Sequence, residues 1–100
     1  MKNKMKCYIT KTGKYYEEPI KNGVVLIPIS PNNPVIIDLI EISSLAKLIW
    51  DSIGDKGDKT VEEIIAFVCS MFPQVENAQI HDDICDFLNE LHEKDAINFI

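Results

Sequence analysis

The sequence predicts an α+β domain, with a small antiparallel sheet first and a cluster of helices after it. Three observations predict this. An Asn22-Gly23 pair, a strong short hairpin signal, lies between two strand-like runs. The hydrophobic period then changes near Ser43, from strand-like to helical spacing. Finally, Thr60 and Glu63 stand at capping-box spacing ahead of an apolar stripe. Strands followed by helices is the α+β order. Three strands packed on three helices gives a winged-helix-like arrangement.

The elements follow in order. Residues 1–13 read as an N-terminal tail with a short strand over Cys7–Thr10 and a turn at Thr12-Gly13. Tyr15–Ile20 is weakly strand-like and interrupted by Pro19. Val24–Ile29 is a second strand, where Pro28 marks an edge or a strand end. Residues 30–34 hold two prolines and two asparagines and form a loop. Val35–Ile42 is the third strand. Its apolar residues fall on both parities, which predicts cover on both faces. These runs make a three-stranded antiparallel meander.

Ser43 or Ser44 caps the first helix, which carries Leu45, Leu48, Ile49 and Ile53 and ends before Gly54 at the position after its cap. Thr60 opens the second helix, with Val61, Ile64, Ile65, Val68 and Phe72 on one face and Pro73 as its stop. Asn77 is the expected cap of the third. Its core stripe is Ile80, Ile84, Phe87, Leu88 and Leu91. Ile97–Ile100 is a short apolar end. Trp50 is expected in the core where sheet and helices meet.

One hundred residues make one domain with room for a single core. No apolar run approaches the ~20 residues that span a membrane. Lys2, Lys4 and Lys6 precede no apolar stretch of the kind a signal peptide needs. Cys7, Cys69 and Cys85 are odd in number and widely spaced. That spacing argues against a disulfide framework and for a reducing, cytoplasmic setting. The net charge of −6 is unevenly divided. Residues 1–34 hold six lysines against Glu17 and Glu18, a balance of +4, while residues 35–100 hold four lysines against fourteen acids, −10. The helical half is therefore the acidic half, the reverse of what phosphate contact requires. No nucleic-acid partner and no membrane partner is expected. The alternative, a winged-helix nucleic-acid-binding regulator, has that acidity against it. Oligomerisation is expected to stop at a monomer or a weak dimer through edge pairing.

Nothing argues for an independent enzyme. There is no nucleophile elbow, P-loop or dinucleotide fingerprint, and no catalytic residue or cofactor is assigned. His81 and Cys85 stand four apart on the third helix, and His92 lies further along the same side. A structural zinc site wants four ligands, and neither CxxC nor HExxH is present, so no metal is assigned. Asp82, Asp83, Asp86, Glu90 and Glu93 read as a solvated acidic face, or as a rim that steers a basic partner. The tail lysines interleaved with Tyr8, Tyr15 and Tyr16 read as a solvated edge.

Taken together, several stretches resemble one family. They are the hairpin strand Gly23–Ile29, the run Val35–Ile42, the helix ending Leu48-Ile49-Trp50, the sequence Thr60-Val61-Glu62-Glu63-Ile64, and Asp83 with Phe87-Leu88 and Leu91. This pattern resembles the PqqD-like family, the peptide chaperones of pyrroloquinoline quinone biosynthesis and their relatives. These modules are also called RiPP recognition elements and bind the leader segments of ribosomally made precursor peptides. The resemblance covers about residues 14–100, read as the peptide-binding domain. It departs from the family at two places. Ile42-Ser43 stands where Leu-Asn is frequent, and serine caps as well as asparagine. Asp95 stands where the family has glycine after the last helix.

The resemblance implies a mechanism: a leader adds as an extra strand beside the third strand and packs on the third helix. The partners implied are a precursor peptide and a separate modifying enzyme, often a radical S-adenosylmethionine enzyme. The residues then expected at the peptide are Val35, Ile36, Ile37, Asp38, Leu39 and Ile40 on the strand, with His81, Cys85, Leu88 and His92 on the helix. The opposite flank of that helix, Asp83 and Glu90, is the alternative. A charge placed at Ile37 or Leu39 is expected to weaken binding without unfolding the domain.

Overall fold

A computed structural model describes residues 6–29, 39–54 and 57–100. In chain order the elements are β1 (Tyr8–Lys11), β2 (Tyr15–Ile20), β3 (Gly23–Pro28), β4 (Ile40–Ser43), α1 (Ser44–Ser52), β5 (Lys59–Thr60), α2 (Val61–Met71), α3 (Asn77–Glu93) and β6 (Ile97–Phe99). The meander β2-β3-β4 forms one antiparallel sheet. The three helices follow it in sequence, as expected.

The hairpin forms where the Asn-Gly signal lies, but its loop sits one residue earlier. Ile20 pairs with Gly23, so Lys21 and Asn22 are the two loop residues and Gly23 opens β3. Gly23 is needed for a second reason. Its φ is +149°, and a Cβ there would come within 1.9 Å of the Ile42 carbonyl oxygen on β4. The glycine thus lets all three strands close up. Among the described residues Pro19 is tolerated because β2 is an edge strand, and Pro28 because it ends β3 beyond the β3–β4 pairs.

The third strand differs from expectation. Among the described residues it is the short β4, which alternates cleanly: Ile40 and Ile42 are buried, Glu41 and Ser43 exposed. One face is covered there, not two. The both-parity apolar run that suggested double cover, Val35–Ile37, lies outside the described residues, as does Asp38.

Local signals set the helix ends. The Ser43 hydroxyl accepts the Ala46 N–H at 3.2 Å and so caps α1. Ser44 donates to the Asn22 carbonyl at 3.1 Å, tying the hairpin loop to the helix start. Gly54 follows the α1 cap but takes no positive φ, because the Ile53 N–H closes the helix on the Trp50 carbonyl. In α2 the capping box is complete: Thr60 Oγ1 accepts from the Glu63 N–H, and Glu63 Oε1 accepts from the Thr60 N–H. Asn77 is not a cap. It is the first residue of α3, and Glu76 before it makes no side-chain capping bond. The end of α3 is a Schellman turn, with Asp95 N–H on the His92 carbonyl and Ala96 N–H on the Leu91 carbonyl. Asp95 takes φ +62° there, the left-handed conformation that a glycine would supply at less cost.

A second sheet was not foreseen as such. β1 lies at its centre, antiparallel to both β5 and β6, with Ile9 opposite Phe99. Ile9 is fully buried and shares one core with Val24 and Leu26 of the meander and Leu88 and Leu91 of α3. Trp50 also lies in that core, under the Lys11 ammonium at 4.4 Å.

Candidate functional site

Two strands end the meander, and they are not equivalent. β2 carries Glu17, Glu18 and Pro19, features that discourage pairing with another chain. β4 carries no proline, and among the described residues nothing pairs with its outer side. Its free edge presents backbone donors and acceptors of the kind that take an added strand.

An apolar groove opens among the three helices. It has a volume of about 250 Å³ and is lined by Leu45, Leu48 and Ile49 of α1, Val68, Phe72 and Val75 from α2 and the turn after it, and Ile80, Asp83 and Ile84 of α3. Leu45 lies two residues beyond the end of β4 and is 62% exposed. An aliphatic side chain held out beside a groove is one a partner can cover.

The third helix offers two flanks to either side of its buried stripe. At 100° per residue, His81, Cys85 and His92 lie on one flank, and Asp83, Phe87 and Glu90 on the other. The structure gives the two flanks different neighbours. His92 packs on Phe99 of β6, with ring centroids 5.0 Å apart. The His92 end of that flank therefore meets the second sheet. Asp83 lines the groove with Leu45 and Leu48, so its flank turns toward α1.

The expected peptide-contact residues are thus placed as follows. Val35, Ile36, Ile37 and Asp38 lie outside the described residues. Leu39 immediately precedes β4 and is 48% exposed. Ile40 opens β4 and is a core residue at 4% exposure. Leu88 is a core residue at 1% exposure. His81 is exposed, with Nδ1 3.2 Å from Asp82 Oδ1 and Nε2 4.0 Å from Cys85 Sγ. Burial pushes the Cys85 thiol up, and the carboxylates of Asp82 and Asp86 push it further. A thiol held protonated in this way is a poor nucleophile and a poor metal ligand. Among the described residues, no three His, Cys, Asp or Glu side chains come together as a metal site would require. Likewise, no described helix is long and apolar enough to cross a membrane.

Leu45, Phe72 and Val75 were missed as groove residues. The first two were visible as apolar residues of helical stripes, but periodicity marks a face as apolar without saying that a neighbour leaves it open.

A family model, Coenzyme PQQ synthesis protein D (PqqD), matches residues 32–97. The chain belongs to the PqqD family. No curated protein matches it. A solved structure described as TbiB1 in complex with the TbiA(beta) leader peptide is similar in fold, with a TM-score of 0.68 and 20% sequence identity. The similarity covers 89% of this chain and 94% of that one. TbiB1 thus shares the fold of the chain described here and was captured with a peptide bound.

Proposed function

We propose that this chain is a non-catalytic peptide-binding module of ribosomal peptide biosynthesis. It holds the leader of a precursor peptide by strand addition to β4 and presents the rest to a separate modifying enzyme. The observation that carries this reading is the edge of β4, unpaired among the described residues, with groove residue Leu45 two positions beyond the strand. PqqD family membership and the leader-bound state of TbiB1 support it.

Magnitudes divide the labour. In an antiparallel ladder only alternate residues of β4 face outward, so its four residues offer about four ladder bonds. At ~1 kcal/mol each they supply ~4 kcal/mol, whereas micromolar binding needs ~8 kcal/mol before the cost of ordering the peptide. Apolar anchors in the groove must supply the remainder. A leader running along β4 reaches that groove at the Ser43 end, where Leu45 begins it. The Asp83 flank of α3 is the one that meets the peptide. A radical S-adenosylmethionine enzyme fits the family as the partner, and tethering to it would raise the effective concentration of the core peptide.

The test is an amide NMR titration of the full chain with the N-terminal segments of the short peptides encoded beside its gene. Saturable shifts clustered over Ile40–Ser43, Leu45, Asp83 and Ile84 are expected. Silence toward every peptide, with shifts on adding duplex DNA, would overturn the reading in favour of a nucleic-acid regulator.

A further inference from the structure

The groove's single charged lining residue has no cation to pair with among the described residues. Asp83 accepts two hydrogen bonds from the Gln79 amide, both at 3.1 Å, and forms no ion pair among the described residues. Four carboxylates have a lysine partner, Glu17 with Lys11, Asp51 with Lys47, Glu90 with Lys94 and Asp95 with Lys14; Asp83 is among those that have none among the described residues, and it is the one that lines the groove. Residues 35–100 carry a balance of −10, so the field around the groove is negative as well. A carboxylate at the rim of an apolar groove attracts a cation and repels an anion, and the repulsion discriminates as much as the attraction does.

Resting on the leader-binding reading above, we propose that Asp83 selects leaders of apolar–basic pattern. The leader places an aliphatic or aromatic anchor between Leu45, Leu48 and Ile84. It places a lysine or arginine two residues away, against Asp83. Strand residues two apart share a face and lie ~6.6–6.8 Å apart, so one peptide face can serve both the groove and its rim. The aliphatic stem of a lysine or arginine lies along exposed Leu45 while its charged head reaches the carboxylate. An acidic residue at the same position meets Asp83 with like charge and is excluded.

The experiment is selection of a displayed library of ten-residue peptides, randomised at alternate positions, on the full chain and on Asp83→Lys. Wild-type protein is expected to enrich an apolar residue with Lys or Arg two positions away, and Asp83→Lys to replace that cation by Asp or Glu. For one enriched peptide, Asp83→Asn is expected to weaken binding three- to fivefold at low salt, with the difference shrinking as salt is raised. Position 83 is exposed on a helix, and circular dichroism checks that both variants fold. Should either be unfolded, the wild-type selection and its salt dependence still decide. Enriched peptides without a cation, or the same enrichment on Asp83→Lys, would overturn the role of Asp83 while leaving leader binding intact. Failure of the wild-type chain to enrich any peptide would overturn both.

Discussion

Thr60 and Glu63 show how one local motif carries both stability and pH dependence. Thr60→Ala removes the acceptor for the Glu63 N–H and is expected to cost about 1 kcal/mol, read as a lower Tm. The Thr60 backbone N–H and hydroxyl both bond the Glu63 carboxylate and hold its pKa below the ordinary glutamate value. A carboxyl depressed in the folded state stabilises the fold above its unfolded pKa. That contribution is lost as pH falls through the folded value. Thermal stability is therefore expected to decline as pH drops below the ordinary glutamate range, and Glu63→Gln to flatten that part of the profile. Equal slopes in the two proteins would show that other carboxylates set it. Asp95 offers the converse case, a residue that fits its place less well than another would. At φ +62° it pays for a left-handed turn that glycine makes freely, and its exposed pairing with Lys14 returns little. Asp95→Gly is expected to raise stability by several tenths of a kcal/mol in denaturant titration.

β4 and α1 act as a unit in the proposed function, since groove residue Leu45 follows β4 by two positions. Leu45→Glu is expected to leave Tm nearly unchanged, because the side chain is already mostly in water, and to weaken leader binding about tenfold by placing a charge at the groove mouth. Leu39→Glu, just before β4, is expected to weaken binding while the domain stays folded. Unchanged affinity in both variants, measured by fluorescence anisotropy with a labelled leader, would place the peptide elsewhere. The elements themselves were largely legible in the sequence. Capping chemistry located α1 and α2, and the apolar stripe of α3 identified Ile80, Ile84, Leu88 and Leu91 as core. The hairpin was legible in position but not in register, because Gly23 opens β3 and its missing side chain serves the close approach of Ile42. The flank of α3 that lines the groove stays open in the sequence, between His81, Cys85 and His92 on one side and Asp83 and Glu90 on the other, because what separates them is tertiary: Phe99 packs on His92, and Asp83 lines the groove with Leu45 and Leu48. Periodicity defines faces of a helix, and only packing says what each face meets.

The two sheets are tied into one molecule by a strand that sequence composition made look peripheral. β1 is short, follows a lysine-rich start, and precedes a turn at Gly13 whose φ is positive. Yet its backbone holds both ends of the chain together. Tyr8 exchanges hydrogen bonds with Ile100, the Thr12 N–H bonds the Ala96 carbonyl, and the Val61 N–H at the start of α2 bonds the Cys7 carbonyl. Pairing between residues so far apart in sequence is favoured only once the core exists, because loop closure must be offset first. Ile9 supplies that link, fully buried at the centre of the second sheet and within the same core as α3. Ile9→Ala should therefore cost about 3 kcal/mol through lost burial and the cavity left behind. For a domain of this size that corresponds to a fall in Tm of more than 10 °C. Since α3 packs on β6 and also lines the groove, the loss should reach peptide binding only through the unfolded fraction. At a temperature where the variant remains folded, its affinity for a leader should match that of the unaltered chain. A weakened affinity in folded Ile9→Ala would instead show that β1 helps to shape the groove, making the second sheet part of the binding machinery and not only its support.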